Sequence, residues 1–551
     1  MPPKNTVITN MGSEEALMLA TQWISNCVQD HMYCKLVDPP DEPTELPTRL
    51  LYVGAPGDIR LCHTESLPKE TLYMTLSHCW GSIRFLNLTT HNMATLERSI
   101  LIDDLPKTFR DAIIFARHTA VKYIWIDSLC IIQNSDDDWQ RESLRMGKVY
   151  SNAYCNIAAT AASDSRAGLF VDRDIKVCLP IIIRVPNYPA DESAPCSSDP
   201  SMYICEEKSL WEREITNSVL GRRGWVLQER LLARRVLYFA SSQIFFECRS
   251  QQVGEFYPTV ELLQKDYFDA HLKGEFSKAL DNLHNIPVQH HQGYALHAWI
   301  RLVEKYTACD LTYETDRFPA IAGLAGRMEP ILNCRYLAGL WEHELVHQLL
   351  WHRYGEARRT AIYQAPTWSW ASIIGQVNFG FVQLSKEKCI AVQHIEVTNR
   401  DGNEMGQVIT GYLRLKGALI PSSIIIDKDR LPATETHLYI EVRGFTYYFV
   451  PDTSEELDEK FTNERCFCAP CDYEEGFSSW MIGLVLKPSG KKGEYQRVGM
   501  FTNRYASSND MRIGRRFFRL PKADHAEKAL ITMNFFEKYE ENIDCYTFTI
   551  I

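Results

Sequence analysis

The 551-residue chain lacks several features that would place it quickly. It has no run approaching the roughly 18 uncharged apolar residues that a membrane-spanning helix needs. Its N-terminus, MPPKNTVITNMGSEEALMLA, has no apolar core of signal-peptide length. It also has no basic excess: 59 Lys+Arg stand against 70 Asp+Glu, for a net charge of −11. The electrostatic footprint of a nucleic-acid binder is therefore missing. Neither an internal repeat nor a low-complexity tract is present, which argues against a solenoid or a chain disordered throughout. No GxGxxG fingerprint and no GxxxxGK[ST] loop occurs, which disfavours a Rossmann dehydrogenase or a P-loop ATPase. The 17 cysteines, an odd number, are scattered along the chain rather than arranged as a secreted framework. Together these features predict a cytoplasmic protein of mostly reduced thiols, with no membrane span and no nucleic-acid partner.

What is present is an ordinary globular composition, 45% apolar and 23% charged. At about 100–200 residues per domain the length allows three to five units. Residues 12–36 carry apolar side chains at helical spacing, and 36–70 are Pro-rich and irregular, with a short strand at 49–53. An alternation follows: strand 73–76, amphipathic helix 108–121, apolar strand 123–132, helix 136–152 and strand 154–159. Apolar strands alternating with amphipathic helices predict a parallel α/β sheet buried on both faces. Residues 187–201 read as an exposed loop, 209–232 as helix and 235–239 as a strand. The pattern is mainly helical from about 255 to 352 and rich in strands from about 390. The expected organisation is an N-terminal segment 1–70, an α/β domain 71–240, a helical region 241–385 and a β-rich region 386–551.

One side chain stands out within the helix at 136–152. Trp139, Glu142, Met146, Val149 and Tyr150 share a face, so Glu142 interrupts an apolar stripe. A carboxylate there is desolvated unless a cation or hydrogen-bond donors meet it. Arg110, Arg222 and Arg223 are the partners expected if its role is structural.

The ordered series Tyr73-x-x-Leu76-Ser77-His78-Cys79-Trp80-Gly81, LPKTFRDAI, YIWIDSLCIIQNSDDDWQRESLRMGKVYSNAYCNIAATAA and GRRGWVLQERLLARRVLYF resembles the fungal heterokaryon-incompatibility (HET) domain over residues 73–239. Trp23…Cys27…His31…Cys34 in front, and YLAGLW, APTWSWAS and GYLRLKGAL behind, resemble the family's flanks. His78 departs from the family, which commonly has Tyr there. The resemblance implies a fungal protein tied to non-self recognition and regulated cell death, with an incompatibility partner protein or self-association as the trigger. It also implies a fold remotely like Toll/interleukin-receptor (TIR) domains, some of which hydrolyse NAD. Those enzymes place a catalytic Glu three residues after a Trp on the helix following a central strand. In Trp139-Gln140-Arg141-Glu142 that position is Glu142, which would stabilise the oxocarbenium-like sugar as nicotinamide leaves. NAD enters here as a substrate, and no cofactor is expected.

Ligands of parallel sheets bind at the carboxyl ends of the strands. Ser77, His78, Trp80 and Gly81 end one predicted strand, and Asp127 and Ser128 lie in or beside another. With Trp139, Arg222 and Arg223 they form the expected substrate-binding set, Trp80 offering a stacking face. The plainer alternative has Asp127 and Ser128 capping backbone and Trp80 in the core. Trp225, Gln228 and Glu229 share a helix face and read as structural, with the arginines suited to a phosphate or to Glu142, Asp127 or Glu229. A protein-interaction module without catalysis is the alternative function.

Three further motifs need an account. His343-Glu344-Leu345-Val346-His347 is a literal HExxH, which on a helix would align two zinc-binding imidazoles. A third ligand fails to follow, Leu350 and Arg353 standing where an extended signature needs Gly and His. Cys27, His31 and Cys34 share a helix face with Cys62 or His63 as a candidate fourth ligand, but they read as a packed helix, and no metal ligand is assigned. Cys466, Cys468 and Cys471 read as free thiols in a loop. Trp368 and Trp370 read as a wedge between domains.

Overall fold

The computed structural model describes residues 9–35, 45–174, 181–185, 201–205, 210–256, 272–281, 287, 290–380, 389–426, 438–442, 445–454, 465–474, 480–503, 538–540 and 545–551. The chain divides into two compact units, Met1–Ile286 and Pro287–Ile551, a coarser division than the four segments read from sequence.

The first unit begins with helices α1 (Glu14–Asp30) and α2 (Met32–Lys35). An antiparallel hairpin follows, β1 (Arg49–Ala55) and β2 (Asp58–His63). The alternating part is β3 (Met74–Ser77), α3 (Met93–Arg98), α4 (Lys107–His118), β4 (Tyr123–Trp125), α5 (Asp127–Cys130), α6 (Asp136–Asn152) and β5 (Cys155–Ala158). A separate hairpin, β6 (Ile181–Val185) with β7 (Ser201–Cys205), precedes α7 (Gly224–Leu232). The unit closes with β8 (Arg235–Phe239), β9 (Ile244–Cys248), β10 (Gln252–Gly254) and α8 (Leu272–Asp281).

Eight strands form one sheet in the order β10-β9-β8-β5-β3-β4-β1-β2. The middle four, β8-β5-β3-β4, are parallel, and antiparallel hairpins close both edges. The parallel α/β expectation therefore holds for the centre of the sheet. The chain leaves β3 for β4 on one side and then crosses to β5 on the other, so its direction of winding reverses between β3 and β5. In open α/β sheets the carboxyl ends of strands at such a reversal are the usual ligand position.

Local chemistry accounts for the elements. The Ser135 hydroxyl accepts the Asp138 N–H at the start of α6, and Asp136, Asp137 and Asp138 meet the positive end of its dipole. α4 buries Phe109, Ala112, Ile113, Phe115 and Ala116. Each large side chain there contributes roughly 1.5–3 kcal/mol of apolar transfer.

Two expectations change. The strand read at 123–132 ends at Trp125, because Asp127 turns the chain: its Oδ1 accepts the Ser128 N–H at 2.7 Å and α5 begins there. The helix read at 209–232 is two pieces, a wide turn at Glu212–Thr216 and then α7.

In the second unit, helices His291–Thr307 and Pro319–Leu332 precede a β-rich part. Six of its strands pair in a closed antiparallel ring: Glu494–Thr502, Phe445–Pro451, Leu438–Val442, Ile420–Ile426, Cys466–Glu474 and Trp480–Pro488. Cys466, Cys468 and Cys471 are thus buried strand residues rather than loop thiols. Trp368 and Trp370 are fully buried, the Trp370 indole donating to the Gly339 carbonyl at 2.8 Å within the same unit.

Candidate functional site

The carboxyl ends of β3 and β5 carry a connected, buried polar cluster. On β5, the Asn156 side-chain amide donates to Ser77 Oγ at 2.9 Å and accepts from Thr75 Oγ1 at 2.9 Å. Ser77 in turn donates to the Glu229 carboxylate, and the Tyr150 phenol of α6 reaches the same carboxylate. Ser77 and Glu229 are both buried. Burial pushes the Glu229 carboxyl up to about 7, with Asp127 adding to the rise while the Ser77 hydroxyl and Arg223 oppose it.

Glu229 is held there by α7. The next residue, Arg230, makes a buried two-pronged bond to Glu247 of β9, at 2.9 and 2.8 Å. Its carbonyl accepts the buried Lys273 ammonium of α8 at 2.5 Å. The helix is thereby fixed to the sheet on one side while presenting Glu229 to Ser77 on the other.

More exposed groups surround this carboxylate. Asp127, half-buried, accepts the Trp80 indole N–H at 2.9 Å. Arg223 Nη1 donates to the His78 carbonyl at 2.6 Å, which ties the strand end to the start of α7. Trp139 and Trp225, both half-buried, meet edge to face with ring centres 6.5 Å apart. Arg222 is exposed. Arg223 and Asp127 thus act on the buried acid at the switch in strand order, and Trp80 is bonded to Asp127.

His78 is buried beside this cluster, its ring packed against Phe109 at 4.8 Å between centroids and near Phe85. Neither ring nitrogen has a hydrogen-bond partner among the described residues, Nδ1 lying 3.8 Å from Asp127 Oδ1. Burial lowers the imidazole below its ordinary range, and the Asp127 charge only partly opposes this. His78 is therefore a neutral aromatic in the core. Gly81 has φ +70°, and a Cβ there would lie 2.4 Å from Asp164 Cβ, so this glycine serves the turn. Ser128 is fully buried, with no partner for its hydroxyl among the described residues.

Glu142 lies in a different network. It is 2% exposed, accepts the Thr48 hydroxyl at 2.7 Å, and stands 3.8 Å from Arg49 Nη2 and 4.0 Å from Arg141 Nε. Arg49 also bonds Asp138 at 2.5 Å and, through Nε, the Cys130 carbonyl at 2.8 Å. Burial would raise the Asp138 carboxyl, but Arg49, the Ile132 N–H and Arg141 together hold it below its usual range. Glu142 is thus desolvated, as its place in the apolar stripe predicts. Its partners among the described residues are Arg49 and Arg141, not Arg110, Arg222 or Arg223. Tyr150 and Asn156 joined the cluster without a sequence signal for that role, and Glu229 changes from a structural residue to the centre of the candidate site.

The HExxH helix does not form. Glu344 has φ +52°, and the short helix that follows spans only Leu345–Gln348. His347 is buried, with Nδ1 2.9 Å from Glu344 and Nε2 3.3 Å from Asp472. His343 lies before the turn rather than one helical turn away on the same face, so the pair has no zinc-protease geometry.

Among the described residues, no helix is long and apolar enough to cross a membrane. The family model described as "Heterokaryon incompatibility protein (HET)" matches residues 73–229. No curated protein and no solved structure matches the chain.

Proposed function

With the chain carrying a heterokaryon-incompatibility domain at residues 73–229, we propose that it is an intracellular effector of fungal non-self recognition that triggers cell death by cleaving the nicotinamide–ribose bond of NAD. The trigger is an incompatibility partner or self-association. In this reading the working carboxylate is Glu229 rather than Glu142, and the domain is related to TIR domains. The observation that carries it is the Ser77–Glu229 contact at the carboxyl end of β3, where the winding reverses, with Glu229 raised to about 7.

The chemistry follows from the charge of the substrate. The nicotinamide ring of NAD is cationic, and cleavage moves positive charge onto the ribose carbon. A desolvated carboxylate that gains a cationic neighbour ionises more readily and stabilises that developing charge. Ser77 and Tyr150 orient the carboxylate, Arg223 suits the diphosphate, and Trp80 supplies a face for a base. The strand order of the parallel core, with β3 between β4 and β5, supports a TIR-like arrangement.

A second reading, a protein-interaction module without catalysis, is favoured by the Thr48–Arg49 enclosure of Glu142. Purified full-length protein incubated with NAD separates the two. Nicotinamide release that is lost in Glu229→Gln and retained in Glu142→Gln supports the first. No release by wild-type protein, alone or assembled with a crosslinker, favours the second.

A further inference from the structure

We propose that Cys27, His31, Cys34 and Cys248 bind one structural zinc ion as a Cys3His site. The donor atoms of these four residues all lie within 4.8 Å of one another. They come from two separate parts of the chain, the 27–34 segment and Cys248, so local sequence does not bring the fourth donor to the other three. Cys27 is in the last turn of α1, and His31 caps that helix by donating its N–H to the Cys27 carbonyl at 3.3 Å. The Cys34 N–H then bonds the His31 carbonyl at 3.1 Å, which folds α2 back and brings all three side chains to one side. Cys248 arrives from the end of β9, with Sγ 3.3 Å from His31 Nδ1 and 217 positions from that histidine in sequence.

The donor set selects the metal. Three thiolates and an imidazole in a compact, largely buried cluster suit tetrahedral Zn²⁺, whereas hard cations need oxygen donors that are missing from it. Zinc–sulfur bonds of about 2.3 Å place tetrahedral sulfurs roughly 3.8 Å apart, inside the observed limit. The cysteines are free and buried, and His31 is half-buried.

The surroundings supply what a thiolate-rich zinc site requires. Arg235 Nε donates to Cys27 Sγ at 3.2 Å, and the Ser250 backbone N–H donates to Cys248 Sγ at 3.4 Å. Donors of this kind orient metal-bound sulfurs. Three thiolates around a divalent ion leave one net negative charge, which the Arg235 guanidinium offsets. Trp23 of α1 stacks on Phe246 of β9 at 6.2 Å between centroids, an apolar contact from the same helix to the same strand. Zinc here clips the N-terminal helices onto the antiparallel edge of the sheet, and the assignment does not depend on any activity at Glu229.

The test is metal analysis of the full-length chain, purified without a histidine tag under reducing conditions. The expected result is one zinc per chain that survives dialysis and is released by a mercurial thiol reagent. Cys248→Ser and Cys34→Ser should lose it, while His31→Cys and His343→Ala should keep it. If the serine variants do not fold, cobalt substitution of the wild-type chain decides instead, through thiolate-to-cobalt charge transfer and the intense red-region bands of a tetrahedral site. Folded wild-type protein that neither contains zinc nor takes it up on reconstitution overturns the proposal. So does zinc retained in Cys248→Ser, or a disulfide among the three cysteines in protein kept reduced.

Discussion

Ser77, the last residue of β3, donates its hydroxyl to the buried carboxylate of Glu229 on α7. The strand end and the helix meet at the point where the winding of the sheet reverses. A carboxyl raised to about 7 there, from an ordinary value of 4.5, binds its proton more tightly folded than unfolded. Its stabilising share is complete below the unfolded value and is lost as pH rises from about 4.5 through about 7. The loss is on the order of 3 kcal/mol. Glu229→Gln should therefore flatten this part of the stability profile. Urea midpoints of both proteins between pH 5 and 8 check it, and parallel curves would disprove the shift.

The same ionisation sets a kinetic expectation. If the charged carboxylate stabilises the ribose cation, nicotinamide release should rise with pH along a limb near 7. Glu229→Gln should remove both the limb and most of the rate, by roughly 10²–10³-fold if this group supplies the main electrostatic stabilisation. Ser77→Ala should leave a slower enzyme whose limb moves upward, because the serine hydroxyl favours the charged form. A pH profile of initial rates for the three proteins reads these effects directly.

Much of this was legible in the sequence, for identifiable reasons. The α4 and α6 helices announced themselves through apolar periodicity. The short buried strands β3 and β5 were visible as apolar runs. Glu142 was recognisable as a carboxylate forced out of water, because periodicity fixes the helix face on which a residue lies. Periodicity does not reveal what faces it from elsewhere. Arg49, 93 positions before Glu142, lies on a strand whose pairing to β4 no local pattern specifies. The role of Glu229 was hidden for the same reason, since Ser77 is its neighbour only once β3, β5 and α7 have assembled. Cys248 has no spacing relation to Cys27, His31 and Cys34, so sequence alone points to the nearer Cys62 and His63 instead.

His78 offers a test of what that position contributes. Both imidazole nitrogens are buried without hydrogen-bond partners among the described residues, while the ring packs edge-on against Phe109. Phenylalanine would keep the ring contact and remove two unsatisfied polar atoms, whose burial costs about 1–3 kcal/mol in typical cases. His78→Phe should thus be at least as stable as wild type by thermal unfolding. A marked loss of stability would mean that the imidazole is bonded in solution.

Arg49 is the hub on which the two buried carboxylates of α6, Asp138 and Glu142, depend. It bonds Asp138, stands 3.8 Å from Glu142 and donates to the Cys130 carbonyl, so one guanidinium joins β1, the segment after β4 and α6. Removing it leaves two acidic groups buried on one helix face. Arg49→Met should cost about 3–5 kcal/mol, the usual penalty for breaking a buried pair from one side. Glu142→Gln removes a charge but keeps an acceptor for the Thr48 hydroxyl, and should cost less than about 1.5 kcal/mol. Because neutral amides carry no buried charge for the missing guanidinium to offset, adding Glu142→Gln and Asp138→Asn to Arg49→Met should recover part of the loss. Denaturant titrations of the single, double and triple variants measure this coupling. Strict additivity across the series would mean that the three side chains do not act as one network, and would reopen Glu142 for a role in the reaction.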